Sequence, residues 1–163
     1  MQNVHFGRRH LTRIPVWLPV DLPVVYFVTV CCAKRHQIFV SPPSVRIAVE
    51  CLQRTQRRLQ WQAHKICLMP DHVHLLLSPL ENREQSLSPF IQCWKSCVTM
   101  RLRQSVAGQI WQREFFDRLL RSGEKLQEKW EYIRDNPVRA GFCQAAEDYP
   151  YSGTAEEILE RLQ

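Results

Sequence analysis

Met69-Pro70-Asp71-His72-Val73-His74-Leu75-Leu76-Leu77-Ser78 joins a turn signal, two histidines one residue apart and an apolar run. Gln62 to Met69 reads as one short strand and His72 to Ser78 as the next, folded back about Pro70-Asp71 as a tight hairpin. Alternate side chains of a strand share a face, so His72 and His74 point the same way. With a loop of just those two residues, Met69 faces His72 and Cys67 faces His74. Two imidazoles side by side are half of a metal site or of an acid/base pair. A half-exposed strand with incidental histidines is the plain alternative, and the hairpin alone does not separate them.

Working outward, Val24-Val25-Tyr26-Phe27-Val28-Thr29-Val30-Cys31-Cys32 is β-branched and aromatic with no alternation, the pattern of a central, buried strand. Ser41-Pro42-Pro43-Ser44 opens a helix whose Val45, Ala48, Val49, Leu52 and Leu59 recur with helical spacing. Its Arg46, Arg54, Arg57 and Arg58 fall mainly on other faces and read as a solvated surface. After the hairpin, Ser88-Pro89 opens a second helix with an apolar stripe of Phe90, Ile91, Trp94, Cys97, Val98 and Leu102. Lys95, Arg101 and Arg103 give it a basic flank. Gly108 closes that region, and Ile110 to Leu120 reads as one or two short strands. Trp94 and Trp111 are expected in the core rather than as platforms for bases.

Ser122-Gly123-Glu124 starts a third helix, and Asn136-Pro137 is expected to stop it. Thr154 caps a short acidic helix beyond the breaks at Pro150 and Gly153. The order predicts an α+β fold: a ferredoxin-like, split β-α-β-β-α-β antiparallel sheet with an added C-terminal helix. Three regions are expected: a basic arm over residues 1–13, a catalytic domain over 14–153 and a C-terminal helix over 154–163.

Composition narrows the function. A chain of 163 residues with 45% hydrophobic content and five glycines is a globular body of one-domain size. No apolar run approaches the roughly 18 residues a membrane span requires, and no signal-peptide pattern follows the basic N-terminus, so the expected location is cytoplasmic. Seven cysteines without a Cys-x-x-Cys pair read as buried free thiols. A zinc site using Cys67 opposite His74 lacks a clear fourth ligand. Of the 22 basic and 16 acidic residues, one and five respectively lie from Gln144 onward, which leaves 21 against 11 before it. That excess favours a polyanion, most simply nucleic acid. Arg8, Arg9 and Arg13 of the arm are candidate phosphate contacts. Deleting residues 1–13 is expected to weaken DNA binding and flatten its salt dependence; an unchanged slope in a salt titration contradicts that role.

The third helix supplies a partner for the histidines. Leu126, Trp130 and Ile133 define its buried stripe. At 100° per residue from Leu126, Tyr132 falls near ~240° and Asn136 near ~280°. Lys125 and Lys129 share that flank. A phenol, an amide and two ammonium groups on one side suit phosphodiester transesterification, in which the phenol oxygen attacks phosphorus and keeps the DNA end covalently. A divalent ion that orients the phosphate can draw nitrogen from His72 and His74 and oxygen from Asn136.

These residues resemble a family. His72-Val73-His74 is a His-hydrophobic-His motif, and Trp130-Glu131-Tyr132-Ile133-Arg134-Asp135-Asn136-Pro137-Val138-Arg139-Ala140-Gly141 looks like the tyrosine helix of the REP-associated tyrosine transposases. Met69 to Leu76, Trp94-Lys95-Ser96, Trp111-Gln112-Arg113 and Asp148-Tyr149-Pro150 match in order and spacing, so the resemblance spans about residues 14 to 153. It implies a metal-dependent endonuclease and strand transferase acting on single-stranded DNA beside hairpins of repetitive extragenic palindromes. Tyr132 is then the nucleophile, forming a 5′-phosphotyrosine, with His72, His74 and Asn136 as ligands of Mg²⁺ or Mn²⁺. Lys95, Lys125, Lys129 and Arg139 join the arm as DNA contacts, on a monomer or homodimer with no membrane partner. The alternative is a domesticated derivative that binds hairpin DNA without cutting. Some relatives carry an acidic residue three places before the first histidine, where this chain has Met69.

Overall fold

The structure, a computed structural model, describes residues 24–82, 84–120 and 123–163, the side chains of 123–125 excepted. The basic arm and residues 14–23 after it lie outside the described residues.

Strands β1 (Val25–Cys31), β2 (Trp61–Met69), β3 (His72–Pro79), β4 (Phe116–Leu120) and β5 (Ser152–Gly153) form one sheet in the order β4-β1-β3-β2-β5. Every pairing is antiparallel. With α1 (Pro42–Leu59) after β1 and α2 (Leu87–Leu102) after β3, the first four strands make the expected split β-α-β-β-α-β, ferredoxin-like sheet. β1 lies between β3 and β4 and is covered on both faces, which is why its sequence does not alternate. The hairpin has the two-residue loop: Met69 pairs with His72 and Cys67 with His74.

Helices α1 and α2 cover one face. Val28 and Val30 of β1 and Val73, Leu75 and Leu77 of β3 are buried there with Val45, Leu52, Phe90 and Trp94. The Trp94 indole N–H donates to the Ala48 carbonyl at 3.0 Å, and Trp111 packs on its ring at 5.2 Å between centroids. Both tryptophans are therefore core, as expected. α5 (Ala155–Arg161) closes the same core with Ala155 and Ile158 and starts with a reciprocal capping box between Thr154 and Glu157. Arg46 departs from the solvated reading: its guanidinium donates to the Leu162 carbonyl, one of the acceptors a helix C-terminus leaves without partners.

Three boundaries differ from the sequence reading. α2 begins at Leu87, with Ser86 as the capping residue, so Pro89 occupies the third helical position rather than the first. Between Ile110 and Leu120 only Phe116–Leu120 is a strand; Trp111 makes an isolated bridge to Cys32. α3 (Gly123–Arg134) ends before Asn136-Pro137, but that pair opens a further turn, α4 (Asn136–Arg139), instead of terminating helix. Proline lacks an N–H that an opening turn does not use, so it is tolerated there.

The other face of the sheet carries α3 and the histidines. Val25, Cys67, Met69, Leu76, Leu120, Ile133 and Tyr149 form a second buried cluster, against which Leu126 and Trp130 pack. The stripe read from spacing is thus the one that meets the sheet. Tyr149 ties the C-terminal segment to β2 by donating its hydroxyl to the Leu68 carbonyl at 2.7 Å.

Candidate active site

His72 and His74 open β3 on the face covered by α3, with ring centroids 4.8 Å apart and the planes nearly perpendicular. Each Nδ1 is engaged. His74 Nδ1 lies 2.9 Å from Thr29 Oγ1, its cross-strand partner on β1. His72 Nδ1 lies 2.6 Å from the Asp71 carboxylate. Among the described residues neither Nε2 has a hydrogen-bond partner.

His74 is buried, with Phe27 stacked on it at 5.5 Å. Burial first, and then the charges of His72, Arg139, Arg35 and Lys129, push its pKa down to about 3. The ring is therefore held neutral, the form that binds metals. This has a consequence for stability. The folded pKa lies below the ordinary 6.5, so the unfolded chain takes up the proton more readily. The contribution of His74 is complete above about pH 6.5 and is lost as pH falls towards 3, with a slope of at most about 1.4 kcal/mol per unit. Urea midpoints in chelator between pH 7 and 4 should fall more steeply for the native chain than for His74→Gln. Parallel curves contradict this.

Tyr132 stands off the buried stripe and is 52% exposed. Two cations flank its ring: Lys129 Nζ at 5.0 Å and the Arg139 guanidinium carbon at 4.4 Å from the centroid. Lys129 Nζ also lies 4.8 Å from the Phe27 ring, so contacts run without a gap from His74 through Phe27 and Lys129 to Tyr132. Arg139 donates to the Tyr132 carbonyl at 2.7 Å and to Asn136 Oδ1 at 2.6 Å, binding the two across the helix break. Among the described residues the buried Asn136 Nδ2 has no hydrogen-bond partner.

Of the flank read from helical geometry, Tyr132, Lys129 and Asn136 lie together on the histidine side, joined there by Arg139. The Lys125 side chain and Arg8, Arg9 and Arg13 lie outside the described residues. Lys95 is elsewhere. It belongs to α2 on the opposite face, where its ammonium donates to the Gln112 and Arg113 carbonyls at 2.7 and 3.2 Å. Cys67 is fully buried opposite His74, and burial above all pushes its thiol up to about 12. Met69 is buried in the second cluster beside His72. No three His, Cys, Asp or Glu side chains gather as a cage among the described residues.

Several residues of the site escaped the sequence reading. Asp71 was expected to serve its own turn, but its carboxylate spans Arg35 Nε at 2.8 Å and His72. Thr29 and Phe27 lie on the same face of β1 by strand alternation, a visible signal. What spacing does not carry is the register between β1 and β3 that sets Thr29 opposite His74.

Comparisons with known proteins point to one family. The family described as IS200-like transposases matches residues 23–136. A Haemophilus influenzae protein assigned to the REP-associated tyrosine transposases is 27% identical over 149 residues, covering 85% of this chain and 84% of its own length. Among solved structures, a REP-associated tyrosine transposase bound to a REP hairpin superposes with a TM-score of 0.73 at 19% identity, over 96% of this chain and 87% of that one. A Deinococcus radiodurans protein assigned as a transposase follows at TM-score 0.52 and 18% identity, over 79% and 95%. At these identities the two structures establish the shared fold.

Proposed function

The chain belongs to the IS200-like transposase family, a family of enzymes, and from that premise we propose that it cuts and rejoins single-stranded DNA beside hairpins of repetitive extragenic palindromes. The observation that carries this reading is the placement of Tyr132. An exposed phenol between Lys129 and Arg139, on a residue whose backbone Arg139 ties to Asn136, lies on the sheet face that bears His72 and His74.

In the proposed reaction the Tyr132 phenol oxygen attacks the scissile phosphorus. The bond from phosphorus to the 3′-oxygen of the preceding nucleotide breaks, and that oxygen leaves as a free 3′-OH, with the phenolic proton balancing the step. The 5′-phosphate stays esterified to Tyr132, so a later attack by a 3′-OH rejoins the strand without an external energy source. Lys129 and Arg139 offer charge to the phosphate oxygens.

The donor set fits a divalent ion in kind. Thr29 and Asp71 engage the two Nδ1 atoms and so leave each Nε2 for a cation, and the Asn136 side chain offers a carbonyl oxygen. We assign His72, His74 and the Asn136 oxygen as the protein's ligands to Mg²⁺ or Mn²⁺, which would polarise the scissile phosphate when bound. Arg139 now holds that oxygen, and a phosphate that draws the guanidinium away returns it to the set.

Met69 favours a second reading. An apolar side chain where some relatives have a carboxylate suits a hairpin-binding protein that does not cut. An imperfect hairpin with single-stranded flanks separates the two on a denaturing gel. The transposase reading predicts a 3′-OH product and a protein-linked band in Mg²⁺ or Mn²⁺ and neither in chelator. Hairpin binding with no adduct in either metal supports the non-cleaving protein.

A further inference from the structure

The Pro70-Asp71 turn is held from outside its hairpin. The Cys32 N–H donates to the Asp71 carbonyl at 2.8 Å, and the N–H groups of Ile38 and Phe39 donate to the Pro70 carbonyl at 2.8 and 3.0 Å. The segment making these bonds leaves β1 through a 3-10 turn, Ala33–Arg35, in which Lys34 and Arg35 have φ of 50° and 57°. Left-handed backbone at a non-glycine residue costs of order 1–2 kcal/mol. Two in succession need a reason.

The turn delivers the Arg35 side chain to Asp71. Arg35 Nε lies 2.8 Å from Asp71 Oδ2, and Arg35 Nη1 lies 3.2 Å from Cys31 Sγ. The other carboxylate oxygen meets His72 Nδ1 at 2.6 Å. One carboxylate thus divides its two oxygens between a guanidinium and an imidazole. As an ion pair alone this contact is weak: the Arg35 side chain is 53% exposed, and such pairs contribute about 0–1 kcal/mol. That is too little to offset the strain of the turn. Orientation is the better account.

We propose that Arg35 and Asp71 are positioning residues for His72. Asp71 accepts a hydrogen bond from the Nδ1–H and so leaves the Nε2 lone pair for the candidate cation, while Arg35 fixes the carboxylate that does this. On this account Asp71 acts through His72 and is not itself a ligand. The inference rests on the assignment of His72 as a cation ligand, and the test keeps the two apart.

In metal-free native protein near neutral pH, ring-nitrogen NMR should show His72 protonated on Nδ1. Mn²⁺ affinity followed by electron paramagnetic resonance should weaken about 10–100-fold in Asp71→Asn. Arg35→Ala should show a smaller loss in the same direction, and Arg35→Lys should recover part of it. In cleavage assays both losses should appear as a higher Mn²⁺ requirement, with the saturated rate largely restored. Nε2 protonation of His72 in the native protein overturns the proposal without any variant. So does Mn²⁺ affinity within twofold of native in both Asp71→Asn and Arg35→Ala while His72→Ala loses the ion. Should Asp71→Asn fail to fold, the native tautomer and the exposed Arg35→Ala still decide. Native Mn²⁺ binding that is indifferent to His72→Ala overturns instead the ligand assignment on which this rests.

Discussion

Tyr132→Phe should reduce strand cleavage at least about 1,000-fold while hairpin affinity stays within about twofold, because it removes the nucleophile and little else. The substitution deletes one oxygen from a ring that is half exposed, so the fold has little reason to respond. The cations that flank the ring, Lys129 and Arg139, contact its face rather than the hydroxyl and remain in place. Nor is another phenol ready to substitute. Of the four tyrosines, Tyr26 and Tyr149 are buried, Tyr149 is hydrogen-bonded to Leu68, and Tyr151 packs against Tyr149 at 5.5 Å. Single-turnover cleavage beside a binding titration reads both numbers. Cleavage that survives Tyr132→Phe places the nucleophile elsewhere.

His72→Ala should lower the cleavage rate at fixed Mn²⁺ by about 100–1,000-fold, and adding His74→Ala should cost far less than a second such factor, since the two rings act as a unit. The single variants should differ in stability. His72 sits at the edge of the sheet face, whereas His74 is buried beneath Phe27 and bonded to Thr29. Removing it leaves a hole and an orphaned hydroxyl, for a loss of about 1–3 kcal/mol. A rate profile against Mn²⁺ and a denaturant melt for each variant distinguish a lost ligand from a damaged core. Full additivity of the two rate losses contradicts a shared ion.

Much of this was legible in local sequence. The two-residue turn placed Cys67 opposite His74 and Met69 opposite His72, because a hairpin register follows from its loop. The apolar stripe of α3 was read correctly, and with it the exposure of Tyr132, because helical periodicity is a local property. What local sequence does not carry has a common physical cause. Arg35 reads as a charge ending a strand, and Asp71 as a turn former, until the segment after β1 is seen to wrap the hairpin loop. Lys95 reads as a basic flank, yet nothing local reveals that its ammonium is held by the Gln112 and Arg113 carbonyls on the far side of the sheet. Arg46 reads as solvated because its acceptor, the Leu162 carbonyl, lies at the other end of the chain. Non-local pairings decide such cases, and spacing does not carry them.

The helix break after Arg134 is instructive in another way. Asn136-Pro137 was expected to end α3, and the 100° rule applied across that point assumed one continuous helix. Asn136 nevertheless joins Tyr132, because Arg139 bonds to the carbonyl of one and the amide oxygen of the other. The juxtaposition was anticipated, but the guanidinium that secures it was not.

The central claim is that the Tyr132 phenol carries the DNA. Trypsin should release that residue in the peptide Trp130-Glu131-Tyr132-Ile133-Arg134, which contains a single tyrosine. Protein incubated with a hairpin oligonucleotide and Mn²⁺, then digested with nuclease and trypsin, should yield this peptide bearing a 5′-linked nucleotide on Tyr132 by mass spectrometry. The nucleotide on Tyr26, Tyr149 or Tyr151, or an unmodified peptide from a reaction that has cut the strand, would contradict the account.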